Sequence, residues 1–162
     1  MPTIENCRIC DSKDLIPYLK FRDQPWCNDF LTLHQIGTEN YYPLEVALCN
    51  NCKTSQLTYN VPKETMFYDH TYVSGTTETL RKHFGKLAQH TKNRYNISST
   101  DLIVDIGGND GTHLQEYKEI SCTNVLNVES AKNISEIAKN KGIPTINAFF
   151  NSVVADDIIN NH

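Results

Sequence analysis

Six cysteines stand in this 162-residue chain, and four of them form two C-x-x-C pairs, Cys7-Arg8-Ile9-Cys10 and Cys49-Asn50-Asn51-Cys52. Each pair lets two thiolates face one ion from a tight knuckle, and two knuckles complete the tetrahedral sulfur set that zinc prefers. Four protein ligands leave no open position, so the pattern predicts a structural rather than a catalytic metal. The 38 residues between the pairs exceed the spacing of a compact zinc ribbon, so the segment between them must double back. A disulfide framework is the competing reading. The N-terminus MPTIENCRIC lacks the apolar core of a secretory signal, however, and a cytosol keeps thiols reduced. A redox C-x-x-C is weaker still, because neither pair opens a helix behind a strand. Cys27 and Cys122 read as ordinary small buried residues. His34 lies in a polar stretch and reads as a surface residue.

A second stretch able to do chemistry is Ile103–Thr112, IVDIGGNDGT. Leu102-Ile103-Val104 reads as a buried strand, Asp105 follows, and a turn through Gly107, Gly108 and Gly111 leads into a helix over Thr112–Ile120. A strand that passes through glycines into a helix N-terminus is a nucleotide-cofactor signature, because backbone N–H groups and the helix dipole face the ligand. The dinucleotide form G-x-G-x-x-G is not met, since Asn109 and Thr112 occupy the second and third glycine positions. Asn124–Val128 reads as a second strand ending at Glu129. An acid there, about 20 residues beyond the glycines, is placed for ribose hydroxyls. The plainer reading is that Asp105 and Glu129 cap the turns that follow them.

Other elements must position these groups. Tyr41–Leu48 reads as a strand running into the second knuckle, Ser55–Tyr59 as its returning partner, and Pro25–Leu31 as a loop with aromatic anchors. Met66–Gly75 is dense in aromatics and hydroxyls. Thr77–Arg94 follows as an amphipathic helix carrying Leu80, Phe84, Leu87 and Ala88, with Ser74, Thr76 or Thr77 able to cap it. His83 and His90 on that helix read as surface or packing residues. A helix over Ala131–Lys141, a third strand over Pro144–Phe149 and an acidic stretch over Val153–Asn161 complete the chain.

The length admits one ordinary domain or two small ones. The composition, 39% hydrophobic and 21% charged, is that of a soluble globular protein. A net charge of −4 without a basic run argues against nucleic acid or an anionic membrane as partner. No apolar run reaches the length of a membrane span, and the expected location is cytoplasmic.

D-x-G-x-N-D-G in Asp105–Gly111 resembles the D-x-G-x-G-x-G loop of class I S-adenosylmethionine (SAM) methyltransferases, whose glycines allow close backbone approach to the cofactor. More of the chain, about residues 4–150, resembles the N-terminal half of the sugar C-methyltransferases of deoxysugar biosynthesis. The matching segments are C-R-x-C near the start, Y-P-L…C-x-x-C, Tyr72-Val73-Ser74-Gly75 with the R-K-H-F helix, V-D-I-G-x-N-D-G-T and V-E-S. The resemblance implies an α/β protein with a small zinc-binding domain over 1–75. A partial Rossmann-like class I SAM methyltransferase domain would follow over 76–162. Cys7, Cys10, Cys49 and Cys52 would hold zinc. Tyr72, Ser74, Asp105, Gly107, Asn109, Asp110, Gly111 and Glu129 would line the SAM site, with Tyr72 also the catalytic candidate.

The implied reaction is methylation at C3 of a nucleotide-linked 4-keto-deoxysugar, in which a base removes a proton beside the ketone and a stabiliser holds the enolate oxygen. The family's further strands, its C-terminal domain and its downstream histidine and glutamate have no counterparts here, and His162 is not presumed to replace them. The chain is therefore expected to be a methyltransferase or the N-terminal part of one. The alternative is a truncated, non-catalytic zinc-binding and SAM-site module. An unpaired Leu102–Ile106 would be an exposed sheet edge. Self-association, a polypeptide supplying the missing half, or the acidic tail is expected to cover it.

Overall fold

The computed structural model describes residues 3–27 and 30–162, a mixed α/β chain that separates into two compact units, 1–66 and 67–162.

The N-terminal unit is built on an antiparallel sheet of β1 (Leu15–Pro25), β2 (Tyr41–Cys49) and β3 (Ser55–Leu57), in the order β1-β2-β3. β2 and β3 match the sequence expectation. β1 is an element the sequence pattern did not announce. Its register slips between Pro17 and Leu19 and again between Lys20 and Asp23, and Arg22 sits at φ 63°. Such bulges destroy the period-2 alternation by which a strand is recognised. Pro25 ends this strand. Residues 28 and 29 of the expected 25–31 loop lie outside the described residues, Trp26 is half-buried, and Phe30 is exposed. Cys27, expected to be buried, is exposed just past the end of β1, where no core reaches it.

What this unit buries is informative. Its buried described residues are Cys7, Ala47, Cys49 and Gln56, with no large aliphatic side chain among them. Ile16, Tyr18, Leu19 and Phe21 of β1 remain largely exposed. A segment this size with so little core needs another source of stability, and two of its buried groups are sulfurs.

After the short helix α1 (Lys63–Phe67), the C-terminal unit is ordered by α2 (Glu78–Tyr95), β4 (Ile103–Ile106), α3 (Thr112–Glu119), β5 (Val125–Val128), α4 (Lys132–Asn140), β6 (Thr145–Ile146) and α5 (Ser152–Asn161). β4, β5 and β6 pair in that order, with Ile103 opposite Val125 and Asn127 opposite Thr145 in parallel register. β5 is central, and all four of its residues are buried. A sheet covered on both faces needs strands apolar on both sides, which explains the runs in β4 and β5. On one face Val125 packs with Ala88, Leu114, Tyr117, Ala138 and Ile143. On the other, Leu126 and Val128 meet Ile158, with Leu102, Val104, Ile146 and Val154 around them.

The third strand is two residues rather than the expected 144–149. The acidic stretch forms α5, capped by Asn151, whose side chain accepts from the Val154 N–H. This helix lies on a sheet face through Ile158 and Val154 rather than along the edge of β4. Among the described residues β4 has a strand partner on one side only. Among the described residues no helix is long and apolar enough to cross a membrane.

Candidate functional site

The two knuckles fold alike. Cys7 donates its N–H to Ser12 O and accepts at its carbonyl from Asp11 N–H; Cys49 does the same with Thr54 O and Lys53 N–H. The fifth residue of each turn, Asp11 at φ 56° and Lys53 at φ 62°, is left-handed, which swings the chain back and leaves the two sulfurs of the pair on one side. Asn50 ties one knuckle to the other, donating its N–H to Asp14 O and its side-chain N–H to Asp14 Oδ1.

The Sγ atoms of Cys7, Cys10, Cys49 and Cys52 all lie within 4.8 Å of one another. Cys7 and Cys52 are 3.6 Å apart, and Cys10 and Cys49 3.7 Å. Zn–S bonds of ~2.3 Å in a tetrahedron require S···S edges of roughly 3.8 Å, so the cluster fits zinc. It does not fit disulfides, whose sulfurs are bonded at about 2.05 Å. Every cysteine in the chain is free.

Groups that sequence reasoning missed surround the sulfurs. Gln56 donates from Nε2 to Cys7 Sγ at 3.2 Å while its Oε1 accepts from the Arg8 N–H, so one buried amide fixes both the sulfur and its turn. Asn51 Nδ2 points at Cys10 Sγ, and Thr54 Oγ1 lies 3.2 Å from Cys52 Sγ. Donors of this kind orient ligands and stabilise thiolate. The Ile9 N–H, with help from Cys10 and Gln56, outweighs burial and lowers the Cys7 thiol to about 6. Cys49 is pulled down most by the Cys52 N–H. Burial and the thiols of Cys10 and Cys52 outweigh that pull and push it up to about 11. A metal ion replaces these shared protons, since only thiolates ligate.

The left-handed turn residues yield a direct prediction. Lys53→Gly removes the steric cost of φ 62°, and the unit should resist chelator-induced unfolding by up to about 1 kcal/mol more; Lys53→Val should weaken it by a similar amount. Chelator titration followed by circular dichroism measures both.

In the C-terminal unit the glycine turn follows β4. Gly107 adopts φ +72°, and a Cβ placed there would meet no atom within 4 Å, so the turn opens to free space at this point. Gly108 is the opposite case: a Cβ would collide with Asn127 Oδ1 and lie 2.8 Å from Asp105 Cγ. Gly111, at φ +74°, precedes α3 and would bring a Cβ to 2.9 Å from Ile143.

The structure brings most of the expected residues to this turn. Glu129, buried at the end of β5, accepts the Asn109 N–H at 3.0 Å on one oxygen and the Ala131 N–H at 2.7 Å on the other. Each oxygen keeps a further lone pair. Asn109 accepts from the Ser74 N–H and donates to the Tyr72 carbonyl, so the Tyr72–Ser74 segment lies against the turn. The ring of Tyr72 is about half exposed. Asp105 points to His113, Oδ2 to Nδ1 at 3.3 Å, and His113 stacks on Phe84.

Asp110 is fully buried. It accepts from Lys141 Nζ at 2.5 Å, from the Thr112 hydroxyl and N–H, and from the Gly75 N–H. These partners consume its lone pairs, so its part in the site is to tie α3, Lys141 and the Gly75 segment together. Lys141, Asn127 and His113 gave no signal in the sequence, because each meets its partner only through the fold. Asn127 Oδ1 and His113 Nε2 are buried without a hydrogen-bond partner among the described residues.

Comparison with known proteins gives two findings. Residues 7–67 match the family model described as "Putative zinc binding domain". Over 160 residues the chain is 28% identical to the C-methyltransferase NovU of Streptomyces niveus, an alignment covering 98% of this chain and 38% of that protein. The chain therefore spans about two-fifths of the length of the relative it matches. The four cysteines and their matched segment support a zinc site, and the second similarity supports a methyltransferase-related role.

Proposed function

We propose that the chain is the zinc- and SAM-binding portion of a C-methyltransferase acting on a nucleotide-linked keto-deoxysugar. In this reading the C-terminal unit is the first part of a Rossmann-like methyltransferase domain. The observation that carries it is the meeting of three elements at the ends of two adjacent parallel strands. These are an open glycine turn at Gly107, the buried Glu129 bonded back to that turn, and the Tyr72–Ser74 segment docked on Asn109. Ligands of open α/β sheets bind beyond the carboxyl ends of the strands.

When bound, SAM supplies an electrophilic methyl group. Gly107 would give it backbone approach, and the free lone pairs of Glu129 would accept from ribose hydroxyls, whereas Gly111, expected to line the site, is packed on the Ile143 side chain. Tyr72 presents a phenol that can stabilise an enolate oxygen or relay one proton, and the remaining acid–base group comes from elsewhere. On the open side of β4 no strand stands among the described residues, so that wall of the pocket and the pairing of that edge fall to further polypeptide or a second copy.

One observation favours the non-catalytic alternative. Asp105, Asn109, Asp110 and Glu129 all have partners within the unit, so the turn is held without a ligand.

Calorimetry tests the cofactor reading. The chain alone should bind SAM more weakly than about 1 μM, since one wall is open. Gly107→Ala, strained at φ +72° and filling the free space, and Glu129→Ala should each abolish the heat. Binding unaffected by Glu129→Ala would show that the pocket lies elsewhere.

A further inference from the structure

Residues 68–75 form a strap rather than a free connection, and its attachments are specific. Tyr68 accepts at its carbonyl from the Lys132 N–H at 2.9 Å. Asn133 grips His70 at both backbone groups, accepting its N–H at 3.1 Å and donating to its carbonyl at 2.7 Å. The Tyr72 N–H donates to His70 Nδ1 at 3.0 Å. Asn109 then repeats the Asn133 grip one step along, donating to Tyr72 O at 3.1 Å and accepting from Ser74 N–H at 2.9 Å. Gly75 N–H closes the series on Asp110.

Asn109 is the member that belongs to the glycine turn itself. All four of its polar groups are engaged. Its N–H goes to Glu129, its carbonyl accepts from Asn127 Nδ2 at 3.0 Å, and its side-chain amide is divided between Tyr72 and Ser74. It therefore brackets the end of β5 to the strap. Its φ of 53° is a conformation that glycine adopts without cost, so the backbone alone gives no reason for a side chain here. One donor and one acceptor of that side chain are engaged by the strap.

We propose that Asn109 is a positioning residue: its side chain docks the 68–75 strap on the glycine turn and so presents Tyr72 to a ligand held there. The side chain acts through the strap and does not itself touch the ligand. The part concerning the ligand rests on the SAM reading above; the docking does not. The exposed Tyr68 and Tyr72 are then held on a backbone fixed by these bonds, which lowers the entropy lost when they close on a ligand.

The test uses the full chain with its metal. In Asn109→Gly the turn keeps its backbone, and amide exchange by NMR should show the Ser74 N–H, which loses its acceptor, exchanging at least about tenfold faster while Leu126 and Val128 are unchanged; tenfold corresponds to one lost bond of ordinary strength. Asn109→Asp keeps the acceptor for Ser74 and loses the donor to Tyr72, and should fall between. Ser74 exchange within twofold of wild type in Asn109→Gly overturns the docking role. For the ligand part, Tyr72→Ala should weaken SAM binding in the wild-type background and have no further effect in Asn109→Gly. Equal effects in both backgrounds overturn the presentation of Tyr72. A wild-type chain that does not bind SAM removes the cofactor reading and with it the presentation of Tyr72 to SAM, while the exchange arm still decides the docking.

Discussion

Cys49→Ala should release the metal and unfold the N-terminal unit. Wild-type protein should contain zinc at a ratio near one per chain by elemental analysis, and the variant none. The size of the effect follows from what the unit lacks. Its buried described residues are two cysteines, an alanine and a glutamine, so no apolar core remains once the ion is lost. Structural zinc contributes on the order of 10–16 kcal/mol in finger peptides, more than the whole stability of an ordinary small domain. Cys27→Ala, at an exposed position outside the cluster, should keep both metal and fold. A wild-type protein that is folded and zinc-free would sink the claim. So would a Cys49→Ala variant whose N-terminal unit keeps its dispersed NMR signals.

Asp110→Ala should be the most damaging single change in the C-terminal unit. It strands the Lys141 ammonium, the Thr112 hydroxyl and the Gly75 N–H at once. Removing one partner of a buried ion pair costs roughly 3–5 kcal/mol, and the lower end applies because Lys141 is 39% exposed. Urea unfolding at neutral pH measures it. The same carboxylate carries a pH signature. Burial pushes its pKa up, but the bonds from Lys141, Thr112 and Gly75 overcome this and hold it below the ordinary carboxylate value.

A depressed carboxylate stabilises the fold above its unfolded pKa, about 3.9, and that contribution disappears as pH falls through the lower folded value. Wild type should therefore lose stability on acidification below about pH 4 more steeply than Asp110→Asn, which cannot ionise. Equal acid slopes for the two proteins would remove the assignment. Asp110→Asn should also loosen Gly75, because an amide holds the segment without the ion pair beneath it.

The sequence alone determined the features that obey local rules. Two C-x-x-C pairs predict a tetrathiolate site because the knuckle that aims two sulfurs at one ion closes within six residues, whatever the rest of the chain does. Gly107 and Gly111 predict a turn because φ near +70° is open to glycine. β5 was visible within Asn124–Val128 because β-branched residues alternate along that stretch and it ends at an acid. β1 was not visible, since its bulges at Pro17–Leu19 and Lys20–Asp23 break the alternation and its side chains stay in water.

The roles of the polar residues were decided by tertiary structure. Asp110 read as a ligand contact in the sequence, yet the fold brings Lys141, 31 residues away, onto its carboxylate. Asn109 read likewise, yet its amide is committed to Tyr72 and Ser74 more than 30 residues earlier. Gln56 carried no signal, and it bonds a sulfur 49 residues distant. A hydrogen bond is satisfied by whichever partner the fold delivers to within about 3 Å, and spacing along the chain does not encode that partner.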